Sequence, residues 1–278
     1  MQVARTLSDL RAATTALRAT HGSLAFVPTM GALHAGHRAL VHAAVASGGA
    51  AVASIFVNPL QFGASEDLAR YPRDEAGDLA ALRDSGCALV WMPDVDTMYP
   101  AGGATAVDPS GPAENWEGTA RPGHFRGVAT VCAKLFGQVR ADRAYFGEKD
   151  WQQLQVVTRM AADLHLATVI VPVETIRETD GLAMSSRNRF LSPEDRVRAP
   201  ILYAALSAAA AALAAGAEAA GALDNARQTL TGAGFAVDYF ALVHGLSLIE
   251  IPRATIHARL IATARLGAVR LLDNRAIG

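Results

Sequence analysis

The chain has 278 residues, with 25 Lys+Arg against 26 Asp+Glu, a formal net charge of -1, 51% hydrophobic residues and 18% charged ones. A chain of this length buries roughly three quarters of its unfolded surface in one large domain or two ordinary ones, and so low a charged fraction excludes a disordered polymer. With the two signs of charge nearly cancelled, no global field gathers nucleic acid or acidic lipid, so no nucleic-acid partner is expected.

The N-terminus places Asp9, Arg11 and Arg18 ahead of any long apolar stretch and so lacks the apolar core of a signal peptide. From Leu24 onward, short β-branched or apolar runs alternate with longer helical patterns. Strands are predicted at Leu24–Thr29, Ala51–Val57, Ala88–Met92, Arg143–Phe146 and Thr168–Val173, with helices at His34–Ser47, Asp74–Ser85, Val128–Val139 and Trp151–His165. That spacing favours βαβ units, a Rossmann-like parallel sheet covered by helices, whose ligands bind beyond the carboxyl ends of the strands. Between them, the Gly- and Pro-rich segment Ala101–Gly123 reads as a long loop of the kind that usually serves function.

Past residue 175 the rhythm changes to two Ala-rich helices, Pro193–Ala215 and Glu218–Leu230, and then to strands at Val237–Val243, Arg259–Arg265 and Ala268–Leu272. The expected organisation is therefore a Rossmann-like domain over 1–175 and a smaller C-terminal α+β domain over 176–278, with Gly181 a candidate hinge. The stretch Ala199–Ala217 carries no charge and is about long enough to span a bilayer. It is mostly Ala, however, and follows Leu191-Ser-Pro-Glu-Asp195, an N-cap with Pro and two acids behind it, so it reads as a soluble helix and no membrane partner is expected. Cys87 and Cys132 sit in apolar runs as buried free thiols, in keeping with a reducing cytoplasm.

Four constellations carry chemistry. The chain has neither a Walker loop nor Gly-x-Gly-x-x-Gly after its first predicted strand. In their place stands Pro28-Thr-Met-Gly-Ala-Leu-His34-Ala-Gly-His37, whose two His share a face in the first turn of a helix, where unpaired N–H groups and the helix dipole favour an anion. This reads as a polyphosphate cradle without a Walker lysine, although a His pair at this spacing can also be surface or structural; a metal site is disfavoured because no carboxylate is near. His21, His42, His165, His244 and His257 read as surface or structural. Tyr145–Gln153 follows a strand and opens a helix, so Lys149 can meet phosphate charge, with Gln153 one turn on. Gly181–Asn188 sets two hydroxyls before an Arg, able to close over a triphosphate, and Phe56–Phe62 offers Asn58 and Gln61 as an uncharged hydrogen-bonding pocket.

In this order the four closely resemble the pantoate–β-alanine ligase family of the nucleotidyltransferase superfamily. The likeness runs through Pro28–His37, Ile55–Phe62, Glu66-Asp67 with Tyr71-Pro-Arg73, Arg121-Pro-Gly-His-Phe-Arg-Gly127, Phe146–Asp150, Asp180–Asn188 and Arg270-Leu-Leu-Asp-Asn274. Trp116 and Trp151 are mild departures from the family pattern. The resemblance implies a HIGH-type nucleotidyltransferase fold and a two-step reaction: pantoate attacks the α-phosphorus of Mg-ATP, giving pantoyl adenylate and pyrophosphate, and β-alanine then displaces AMP. It implies that ATP is bound by Met30, Gly31, Ala32, Leu33, His34, Ala35, Gly36, His37, Gly147, Glu148, Lys149, Asp150, Met184, Ser185, Ser186, Arg187 and, through its backbone, Ile176. His37 is the implied proton donor, His34 a phosphate contact, and Lys149 and Arg187 complete the catalytic set; Gln61 and Gln153 match the D-pantoate site, Gln61 also the β-alanine site. Mg²⁺ held mainly by ATP phosphates, a lid-like C-terminal domain and a homodimer are likewise implied. The role of Arg121 and His124 stays open between support of the substrate site and interface packing. The nearest alternative is another adenylyltransferase of the superfamily, acting on a different acid or a phosphate ester.

Overall fold

The computed structural model describes residues 1–63, 68 and 71–277. Glu66 and Asp67 of the quoted motif lie outside the described residues. The chain divides into two compact units, residues 1–148 with 153–174, and residues 149–152 with 175–278.

In chain order the first unit holds β1 (Gln2–Ala4), α1 (Leu7–His21), β2 (Leu24–Thr29), α2 (Ala35–Ala46), β3 (Ala50–Ile55), α3 (Glu75–Asp84), β4 (Leu89–Trp91), α4 (Val95–Met98), α5 (Glu117–Ala120), α6 (His124–Val139), β5 (Arg143–Gly147), most of α7 (Trp151–Asp163) and β6 (Val169–Val173). Six strands make one parallel sheet in the order β1-β4-β3-β2-β5-β6. β2 and β3 are buried almost without interruption, as strands covered on both faces must be. Their core packs Val27, Val41, Ala44, Ala53, Leu82 and Val90 together. The chain leaves β2 toward β3 on one side and returns to β5 on the other, so the carboxyl edge between β2 and β5 is a topological switch point, where ligands of such sheets bind.

The predicted strands and helices all appear, Leu24–Thr29 with the expected bounds and the others with ends shifted by at most four residues. β1 and α1 escaped prediction: the strand has three residues, and α1 buries only Leu10 and Thr14, too thin a stripe to read as periodicity. α6 begins at His124 rather than Val128, because Gly123 at φ +81 turns the chain into the helix. The expected loop Ala101–Gly123 contains a short 3₁₀ turn at Gly111–Ala113 as well as α5.

The second unit contains α8 (Pro193–Arg198), α9 (Ile201–Ala214), α10 (Ala219–Gly232) and an antiparallel sheet of β7 (Ala236–His244), β8 (Ala258–Leu266) and β9 (Val269–Ala276). The single predicted helix over Pro193–Ala215 is divided at Ala199-Pro200, because Pro200 has no N–H for the carbonyl four residues back. Pro193–Ala214 is long and apolar enough by composition to cross a membrane. Its apolar stripe is nevertheless taken up inside the protein, where Leu202, Leu206, Ala209 and Leu213 pack in one core with Phe240, Leu242 and Leu260.

Candidate active site

The His-Ala-Gly-His segment sits where β2 ends and α2 begins. His34 is not a helical residue, as the shared-face reading required, but the N-cap of α2, with an extended backbone at φ -136. The rings meet all the same, 4.1 Å apart at 43°. The Gly36 N–H donates to His34 Nδ1 at 3.1 Å and the His34 N–H to His37 Nδ1 at 3.4 Å, a capping box built from two imidazoles. With both Nδ1 atoms accepting, each neutral ring carries its proton on Nε2, at the tip away from the backbone, as a donor suited to a phosphate oxygen. The same turn carries the positive end of the helix dipole.

A residue outside the recognised motifs holds this turn in shape. Asp78, in the first turn of α3 and 4% exposed, accepts the Ala32 N–H on Oδ2 at 2.9 Å and the Leu33 N–H on Oδ1 at 2.8 Å. Gly31 has φ +81, and a Cβ there would lie 2.7 Å from Asp78 Oδ2, so the close approach requires glycine. Ala32 takes φ +52, the left-handed region that L-residues avoid, directly after Gly31.

The Asn58–Gln61 turn lies in the same unit. Asn58 is 1% exposed and uses its whole amide: Nδ2 donates to Gln61 Oε1 at 3.0 Å and to the Gly127 carbonyl at 3.1 Å, while Oδ1 accepts from Tyr99 Oη at 2.7 Å and from the Leu60 N–H at 3.3 Å. Burial pushes the Tyr99 phenol up, with a smaller contribution from Cys132, so it stays a donor. Gln61 Nε2 reaches Met30 Sδ at 3.1 Å, tying this turn to the cradle.

The Arg121–Gly127 motif supports that turn. The Gln61 carbonyl lies 2.9 Å from His124 Nδ1, and Arg121 Nη1 lies 3.0 Å from His124 Nε2. Arginine only donates, so Nε2 accepts and the His124 proton sits on Nδ1, facing Gln61. A Cβ on Gly127 would fall 2.3 Å from the Leu60 carbonyl oxygen, so glycine is what lets α6 approach the turn. Gln153 stands half-buried in the first turn of α7.

In the second unit Lys149, Ser185, Arg187 and Asn188 line one cavity together with Arg270 and Asp273. Lys149 Nζ is 3.4 Å from Asp150 Oδ1, a loose contact. The chain runs through a hairpin in which the Glu178 N–H donates to the Leu182 carbonyl at 2.8 Å and the Met184 N–H to the Ile176 carbonyl at 2.9 Å. Asp180 at its tip is held below the usual carboxylate range by its hydrogen bond from Arg196. Ser185 caps the following 3₁₀ turn, Ser186–Phe190, its Oγ accepting the Arg187 N–H at 3.2 Å, and Arg187 is exposed. The expected residues thus gather in two groups: Met30–His37 with Gln61 in the first unit, and Lys149 with Ser185–Arg187 in the second.

No group of three or more His, Cys, Asp or Glu able to hold a metal ion occurs among the described residues. Burial pushes the Cys87 thiol up to about 11 and the Cys132 thiol to about 12, which keeps both protonated and unsuited to attack.

The family model described as Pantoate-beta-alanine ligase matches residues 2–276. A pantothenate synthetase of Granulibacter bethesdensis is 60% identical over 276 residues, 99% of this chain and 96% of the relative. The crystal structure of pantothenate synthetase from Thermus thermophilus matches at a TM-score of 0.94 and 48% identity, over 100% of this chain and 99% of its own. That of pantoate-beta-alanine ligase from Francisella tularensis, complexed with beta-gamma ATP and beta-alanine, matches at a TM-score of 0.84 and 29% identity, over 99% of this chain and 97% of its own.

Proposed function

The chain belongs to the pantoate–β-alanine ligase family, and we infer from that membership that it is an ATP-dependent ligase condensing D-pantoate with β-alanine to pantothenate. The observation that carries this is the family match over residues 2–276. The reaction proceeds through pantoyl adenylate. A pantoate carboxylate oxygen attacks the α-phosphorus, the bond to the bridging oxygen breaks, and pyrophosphate leaves with that electron pair. The β-alanine amine then attacks the acyl carbon, AMP leaves, and the nitrogen gives up one proton.

Negative charge grows on the α-phosphate and on the leaving pyrophosphate, so the site needs donors and cations fixed in advance. The Nε2–H groups of His34 and His37 supply the donors, with His37 placing its proton on the departing oxygen, and Lys149 and Arg187 supply point and forked positive charge. Met30 to His37, Gly147 to Asp150, Ile176 and Met184 to Arg187 hold ATP. Gln61 and Gln153 orient pantoate by amide hydrogen bonds, which leave the carboxylate more nucleophilic than an Arg partner would, and Gln61 also meets β-alanine. The buried network around Asn58 supports this reading, since it fixes one face of the Gln61 amide. Mg²⁺ arrives on ATP, coordinated by its phosphate oxygens, and offsets their charge.

Residues 1–175 form the ATP- and pantoate-binding domain and 176–278 the smaller lid domain in this reading. Buried free thiols support a cytoplasmic location. A homodimer follows from the family likeness and is tested by light scattering.

The test is pyrophosphate release from Mg-ATP and D-pantoate, first without and then with β-alanine. A stoichiometric burst that β-alanine converts to steady AMP and pantothenate supports both steps. ATP binding with no pyrophosphate overturns the substrate assignment. His37→Ala and Lys149→Ala each lose adenylation by about 10²–10³-fold with native melts; unchanged turnover in both refutes the phosphate-cradle assignment.

A further inference from the structure

The motif Arg270–Asn274 lies on β9, and the chemistry proposed above uses none of it. Its last two residues, Asp273 and Asn274, are 3% and 5% exposed. Neighbours on a strand face opposite sides, so two adjacent polar side chains buried there reach two different partners.

Asp273 takes Arg177 in a two-pronged pair, Nη1 to Oδ2 at 2.6 Å and Nη2 to Oδ1 at 3.0 Å. The same guanidinium donates to the Gly181 carbonyl at 3.2 Å and lies 3.5 Å over the Tyr203 ring. Arg177 therefore ties both arms of the 176–184 hairpin, whose second arm runs straight into Met184–Arg187. Asn274 turns to the other signature: its Nδ2 donates to the Lys149 carbonyl at 2.9 Å. Its Oδ1 accepts from Arg259, whose guanidinium stacks 3.3 Å over Trp151, and Trp151 Nε1 is anchored on the Gly245 carbonyl at 2.6 Å. One dipeptide thus touches the supports of both groups lining the second unit's cavity, in which Asp273 itself takes part.

We propose that Asp273 and Asn274 are positioning residues for ATP, a two-armed bracket that sets the Met184–Arg187 signature through Arg177 and Lys149 through its carbonyl. A buried ion pair adds little net stability over an apolar pair of the same volume, whereas its directional bonds admit one geometry. The bracket rests on the reading of Lys149 and Ser185–Arg187 as ATP ligands.

The test uses the full chain with kcat and separate KM values for ATP and D-pantoate, direct titration with α,β-methylene-ATP, and thermal melts. Asn274→Asp keeps the side-chain size and the acceptor for Arg259 but replaces the donor to Lys149 by an oxygen. It raises KM for ATP and the analogue Kd by about 3–10-fold, the factor for losing one hydrogen bond, while KM for pantoate stays within about twofold. Asp273→Asn strips a buried charge of its partner and can fail to fold, so Arg177→Lys, which keeps the charge and loses the fork, carries the second arm and shifts ATP in the same direction. Analogue affinity unchanged in both Asn274→Asp and Arg177→Lys, or ATP and pantoate weakened by one common factor, overturns the bracket. Lys149→Ala and Arg187→Ala run alongside: if they keep analogue affinity, the ATP assignment itself fails, and if they lose it while the two bracket variants do not, the bracket alone falls.

Discussion

Replacing Asp78 by Asn tests how the cradle is held. The carboxylate is buried and accepts two backbone N–H groups at 2.9 and 2.8 Å, those of Ala32 and Leu33. A hydrogen bond to a charged partner contributes about 1.5–3 kcal/mol net. Asn keeps one acceptor oxygen but turns its NH₂ on the other N–H, losing one bond outright and the charge on the second, so about 2–4 kcal/mol is removed. Against a total of about 5–15 kcal/mol the protein remains folded, and at roughly 2–4 °C per kcal/mol its melting temperature drops by about 4–16 °C. The activity effect is separate. The residues released, Ala32 at φ +52 and Leu33, lead into the His34 cap, and a displacement near 1 Å of positioned groups costs on the order of 10²-fold in rate. The assay is pyrophosphate release with saturating ATP and pantoate at a temperature where the variant is fully folded, beside calorimetry of both proteins. A variant with full activity and a melt within 1 °C, set against the roughly 4 °C minimum worked above, would refute Asp78 as the clamp.

Gly127→Ala drives a Cβ to 2.3 Å from the Leu60 carbonyl and 2.6 Å from the Gln61 nitrogen, backbone atoms that cannot swing aside. The expected cost is about 1–3 kcal/mol, with KM for pantoate raised more than KM for ATP; equal changes in the two would place the damage elsewhere. The thiols give a pH prediction. Cys87 and Cys132 are raised by burial to about 11 and about 12 from the ordinary 9.0, so the folded state keeps protons that the unfolded chain releases above pH 9. Their contribution is fully present below pH 9 and is lost as pH rises toward 11 and 12. Urea midpoints should fall over that window, more shallowly in a Cys132→Ala variant compared with its own neutral-pH value, and a thiol reagent at pH 8 should leave both cysteines untouched until denaturant is added.

How far the site was legible follows distance along the chain. His34 and His37, Lys149 and Ser185–Arg187 are contiguous signatures at strand or hairpin ends, so their chemistry stands out in a dozen residues. Their local geometry did not: a helical pattern cannot tell an N-cap from a first-turn residue, and His34 proved to be the cap. Asp78, whose bonds reach back 46 and 45 positions, had no local signal at all. Arg121 and His124 were visible as a motif, but their work on Gln61, 60 and 63 positions away, was not.

By itself the sequence determined the alternation of strands and helices, the change of rhythm after residue 175 and the residue types expected to meet phosphate, because periodicity and capping are encoded within one or two turns of chain. Only the tertiary structure decided which of these elements lie side by side and which buried groups answer each other. Strand order brings β5 next to β2, and β9 carries Asp273 to Arg177 and Asn274 to Lys149, partners 96 and 125 positions apart. Such pairings are chosen by burial, since a polar group removed from water must find its partner in whatever element packs against it, and nothing in the local chain records which element that is.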